Sequence, residues 1–204
     1  MESFTELLGG RRGAIDSAVP SVAFVAGWLL AGHSIRVGSA AAIGAAVVVA
    51  AIRLKQRRTP RAAVLGLLGV LIAVFIVLRT GRAEDFFLAQ IATNAASALA
   101  WIVSILIRWP LLGVVVGVAL GQRTRWRRDP ALLSAYSRAS WIWVGQYLVR
   151  VAVMLPLWYA GHTVALGITR VVLTWPLVAA CLAVSYWVVR RRLPEGHPGL
   201  RRPQ

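Results

Sequence analysis

The sequence predicts an all-α fold, a polytopic bundle of about six transmembrane helices with both termini in the cytoplasm. Three observations carry this. Of the 204 residues, 58% are hydrophobic and only 15% charged, whereas a soluble domain is roughly half apolar and about a quarter charged. The apolar residues fall into runs that approach the ~20 needed to cross a hydrocarbon core. Between the runs, basic residues collect in alternate connections, which is how bilayer proteins are oriented. This composition argues against a water-soluble enzyme; the apolar content excludes disorder, and the single Cys181 a disulfide scaffold.

The first run, 14–31 (AIDSAVPSVAFVAGWLLA), follows Arg11 and Arg12. No small-residue cleavage site succeeds it, so it is expected to be retained. The second, 37–52, is rich in Gly and Ala, and the third, 62–78, is apolar throughout. The fourth, 86–107, is stopped by Arg108-Trp109-Pro110. The segment 111–121 is apolar but eleven residues long, too short to cross alone. It reads as a half-helix at the cytoplasmic interface or a re-entrant piece, and its Gly113, Gly117 and Gly121 permit close packing against a neighbour. The fifth and sixth crossings are 140–160 and 163–189. Residues 1–192 thus form one transmembrane domain, and 193–204, rich in Pro, Gly and Arg, form a disordered basic tail on the cytoplasmic side.

Sidedness follows from where the charges lie. The net charge is +16. Seventeen basic residues occupy the N-terminus, the tail and two connections, the latter holding Arg53, Lys55, Arg57, Arg58 and Arg61, then Arg123, Arg125, Arg127, Arg128 and Arg138. The other three connections hold Arg36, Arg79 and Arg82. Positive-inside places both termini in the cytoplasm of a multi-pass cell-membrane protein. The partners this predicts are the bilayer, anionic lipid headgroups at the basic loops, and membrane proteins or a second copy; nucleic acid is not expected. Trp28, Trp141, Trp143, Trp158, Tyr159, Tyr186 and Trp187 lie near predicted ends, where an aromatic belt would sit.

Catalytic chemistry is sparse. His33, His162 and His197 lack metal-ligand spacing, and no cysteine pair exists for zinc. No phosphate loop, dinucleotide fingerprint or nucleophile elbow occurs, so no cofactor and no enzyme activity are expected. Cys181 sits in an apolar run, as a packing residue would. Arg79, Arg82, Glu84 and Asp85 form an outer-loop charge cluster, read as a solvated loop with local ion pairs or as a cation or substrate site at a mouth.

The informative residues are Arg150 and Arg170, because an arginine inside a span costs about 2.5 kcal/mol or more. Each opens a related string, RVAVMLPL and RVVLTWPL, with proline (Pro156, Pro176) six residues on. A proline deprives the carbonyl four residues earlier of its donor, and a carbonyl so freed in lipid needs another. Counting depth from the outer ends sets Arg150 near the level of the Val172 carbonyl and Arg170 near that of Ala152. One reading is a reciprocal arginine–carbonyl clasp; another is an arginine-lined polar cavity that attracts an anion; snorkelling to the interface suits Arg170 better than Arg150. Gln90, Asn94 and Gln146 could join either arrangement.

The stretches GGRRGAIDSAVPSVAF, AEDFF and RWPLLG, together with the two Arg…Pro-Leu strings, make the chain resemble an uncharacterised family of actinobacterial integral membrane proteins, domain of unknown function 3159, over residues 9–192. That resemblance implies membrane topology and supplies no activity. In helix order and basic loops, the layout also looks like bacterial intracellular septation protein A, a multi-helix inner-membrane protein linked to cell division and envelope upkeep. The expected function is non-enzymatic support of envelope or division machinery, with a small transporter or channel lined by Arg150 and Arg170 as the alternative.

Overall fold

A computed structural model describes residues 10–55, 60–121 and 124–192. Among them every regular element is helical: α1 (Gly10–Leu30), α2 (Ile35–Lys55), α3 (Pro60–Thr80), a 3₁₀ turn (Ala83–Phe87), α4 (Leu88–Leu106), α5 (Leu111–Ala119), a second 3₁₀ turn (Arg125–Arg127), α6 (Pro130–Tyr159), α7 (Thr163–Val172) and α8 (Trp175–Arg192). Among the described residues, four stretches are long and apolar enough to cross a membrane: Ile35–Lys55, Ala83–Leu106, Pro130–Tyr159 and Thr163–Arg191. Ala18–Leu30 and Val64–Thr80 are shorter apolar segments. The basic tail at 193–204, Arg57, Arg58, Arg123 and His197 lie outside the described residues.

Two elements differ from their sequence reading. Helix α6 starts ten residues before the expected crossing, because Asp129 caps it: its Oδ1 accepts the N–H groups of Ala131 (3.0 Å) and Leu132 (3.1 Å). Pro130 then occupies the first helical position, where its missing N–H costs nothing. The sixth run is two helices, interrupted at Leu173 and Thr174 just before Pro176. Pro156, by contrast, lies inside α6 without ending it. The segment after Pro110 is a nine-residue helix, about 13 Å long at 1.5 Å per residue.

The chain divides into two compact units. One comprises the residues up to Ala92 together with Val153–Leu173; the other comprises Thr93–Ala152 and the residues from Thr174 onward. In the first, α1 and α2 form a hairpin whose backbones nearly touch. A Cβ on Gly38 would lie 2.9 Å from the Phe24 carbonyl oxygen, and one on Gly27 2.9 Å from Ala41 Cβ. The core of this unit gathers Phe24, Val77, Phe86, Phe87, Met154 and Leu166, with Phe24 stacked on Phe86 at 4.2 Å between centroids. In the second unit, Leu112, Trp126, Leu132, Tyr136 and Val189 form the core. Trp126 is fully buried although it stands among arginines in sequence. Its ring lies over Gly113, where a Cβ would come within 2.8 Å of it. The small residues of α5 therefore admit an indole from the following loop.

Candidate functional site

Two groups of polar side chains stand out, one in each unit. In the first, the 3₁₀ turn after α3 carries the acidic pair. Arg82 Nε donates to Glu84 Oε1 at 2.7 Å, which holds the Arg82 guanidinium above its usual range. Arg82 also lies over the Trp158 ring, 5.3 Å from its centroid. Asp85 departs from the solvated loop that its sequence context suggests. It is 3% exposed and accepts a 2.7 Å hydrogen bond from Trp158 Nε1. The reason is local: the turn sends Phe86 and Phe87 into the core and draws Asp85 in with them. Arg79 stands apart from this arrangement, over Phe75 at 5.1 Å.

In the second unit, Arg150 is half-buried on α6, and its Nη2 donates to the Thr174 carbonyl oxygen at 3.2 Å. The expected acceptor was Val172. The helix break sets Thr174 at the head of α8, where its carbonyl also receives the Val178 N–H at 3.3 Å. The Arg150 guanidinium lies 5.8 Å from the Tyr147 ring centroid. Closer to the start of α6, Trp143 Nε1 donates to Ser185 Oγ at 3.1 Å while its ring stacks on Trp101 at 5.3 Å. The thiol of Cys181 faces the Ile142 carbonyl oxygen at 3.8 Å. Asn94 and Gln146 are both buried, and the Gln146 amide oxygen makes no hydrogen bond among the described residues. Arg170 is half-buried in α7; Pro156 and Pro176 are exposed.

These groups lie within a sequence stretch that matches a known family. The family described as "Protein of unknown function (DUF3159)" matches residues 8–196. The chain belongs to DUF3159. No curated protein and no solved structure matches it.

Several of the DUF3159 chain's polar contacts were not legible in its sequence. The pairing of Trp158 with Asp85 links residues 73 positions apart, and periodicity carries no signal for that. Trp143 and Trp158 fitted an interfacial belt, yet both indole N–H groups are taken by the protein. Trp141, Tyr159, Tyr186 and Trp187 do remain exposed. The Asp129 cap, in contrast, had a visible signal in Asp-Pro before an apolar run. Among the described residues, no three His, Cys, Asp or Glu side chains come together as a metal site would require.

Proposed function

We propose that this protein crosses the plasma membrane six times, with both termini in the cytoplasm, and supports envelope or division machinery through protein and lipid contacts without catalysis. The four apolar stretches, together with α1 and α3 at 21 residues each, supply six helical stretches of about 30 Å or more, enough to span the hydrocarbon core. The basic asymmetry supports the orientation. The envelope context is an expectation from helix order and basic loops in the sequence alone.

The observation that favours a structural over a transporting role is the use made of Arg150. Its guanidinium fastens α6 to the head of α8 through the Thr174 carbonyl. An arginine so engaged contributes to helix association, where interhelical hydrogen bonds in membranes are worth about 0.6–2 kcal/mol. The second reading, a small anion path, draws on Gln146, whose buried amide oxygen has no hydrogen-bond partner among the described residues. Arg150→Leu separates the two. Under the structural reading, the variant loses thermal stability in detergent, and proteoliposomes of the parent chain pass chloride or phosphate no faster than empty vesicles. Anion flux by the parent chain that disappears in Arg150→Leu at unchanged stability would reverse the order.

A further inference from the structure

A cleft of about 490 Å³ opens in the second unit between α6 and α8, lined by Arg138, Ile142, Trp187, Val188 and Arg191. We infer that it is a discrete binding site for one anionic phospholipid, whose phosphate lies between Arg138 and Arg191 and whose acyl chain follows Ile142 and Val188.

The two helices run antiparallel, since Arg150 meets Thr174 whereas Ile142 and Trp143 meet Cys181 and Ser185. Arg138 near the start of α6 and Arg191 at the end of α8 therefore share one end of the pair. Ile142 and Val188 lie about one turn deeper along their helices. This order, cations outside and apolar floor inside, is that of a phospholipid in a leaflet. A free phosphate would gain nothing from the floor. The arginines are exposed, and Arg191 is steadied on the Trp187 ring at 4.3 Å, a cation–π contact that limits its freedom before a ligand arrives. Among the described residues of this unit the one carboxylate, Asp129, caps α6 through Ala131 and Leu132. The described charges lining the cleft are thus cationic, and guanidinium binds phosphate oxygens through paired N–H donors. Basic pockets between transmembrane helices are an established form of anionic-lipid site.

The inference rests on the membrane reading above, and its test separates the two. The full chain is reconstituted in phosphatidylcholine vesicles carrying a minor fraction of either brominated phosphatidylglycerol or brominated phosphatidylcholine. Quenching at Trp187 is taken as the difference between the parent chain and Trp187→Phe. The expected result is an apparent preference for the anionic lipid on the order of tenfold. It should vanish in R138Q/R191Q and largely vanish in R138K/R191K, because an ammonium lacks the planar fork. Arg191 is exposed in the last turn of α8, so R191Q alone serves if the double variant does not fold, with a loss of about threefold expected. Equal quenching by both lipids, or full preference in the lysine pair, would overturn the site. So would abolition of the preference by inorganic phosphate, which would assign the cleft to a free anion. A change of oligomeric state in R191Q with the lipid contrast intact would make the cleft a protein interface and likewise overturn it. A chain that floats with the vesicles but shows no preference leaves the membrane reading standing; one that does not float removes both.

Discussion

Asp85 is the residue whose surroundings differ most from its sequence context. A carboxylate buried to 3% exposure depends on its donors, and leaving such a group without one costs about 1–3 kcal/mol or more. Trp158→Phe removes the indole N–H while keeping most of the ring, so it should lower stability by that amount in thermal unfolding in detergent. Asp85→Asn should cost less, because the amide oxygen still accepts from Trp158 Nε1. Equal losses would show that the charge of the Asp85 carboxylate, and not the indole hydrogen bond alone, holds the turn. Arg150 gives a second residue-scale expectation. Its acceptor, the Thr174 carbonyl, keeps the Val178 N–H when the guanidinium is removed. Arg150→Leu should therefore cost only about 1 kcal/mol. Pro176→Ala should not rescue it, since the bond that change restores is to Val172. The double variant should be additive within about 0.5 kcal/mol; a clear rescue would point back to Val172 as the acceptor in solution.

At the scale of elements, the short helix α5 is held by shape. Gly113 leaves room for the Trp126 ring, and a Cβ there would come within 2.8 Å of two ring atoms. The ring is fully buried and has no open side to retreat to. Gly113→Ala should thus cost about 1–3 kcal/mol as overpacking. Adding Trp126→Leu should recover part of that loss, in a double-mutant cycle read by thermal unfolding; strict additivity would mean that α5 and the loop do not meet. The start of α6 is held by chemistry instead. Asp129 satisfies two N–H groups that would otherwise lack partners, and Asp129→Ala should cost about 1 kcal/mol, with the loss of helical signal confined to the first turn.

For the whole molecule, the proposed topology makes a prediction independent of packing. Reporter fusions at Gln56, at Arg127 and after Gln204 should report cytoplasm, and fusions near His33, Arg82 and His162 the exterior. An external signal at Arg127 would make the segment after Pro110 a crossing. The basic loop offers a matching contrast to the proposed lipid cleft. Replacing Arg123, Arg125, Arg127 and Arg128 by Lys should leave membrane localisation unchanged, because a surface potential acts on charge alone at about 1 kcal/mol per basic residue. Arg127, however, lies 3.8 Å from the Trp109 ring centroid. A loss of folding in that variant would trace to this contact.

Composition and run length were enough to determine an all-helical chain with spans of membrane length, because burial in hydrocarbon acts on every residue of a run. Family membership was legible for a similar reason: motifs spread over most of the chain report it together. Arg150 could be picked out because charge inside an apolar run is costly wherever the helix packs. What the tertiary structure decided was each group's partner. Thr174 replaced Val172 as the acceptor because the break before Pro176 sets the Thr174 carbonyl at the head of α8, within reach of Arg150. Trp126 entered a core from the midst of arginines because Gly113 left space for it. Asp85 was buried because Phe86 and Phe87 turn inward, and Arg138 and Arg191 came to line one cleft because α6 and α8 run antiparallel. Each of these depends on contacts between residues distant in sequence, and neither periodicity nor charge counting encodes such contacts.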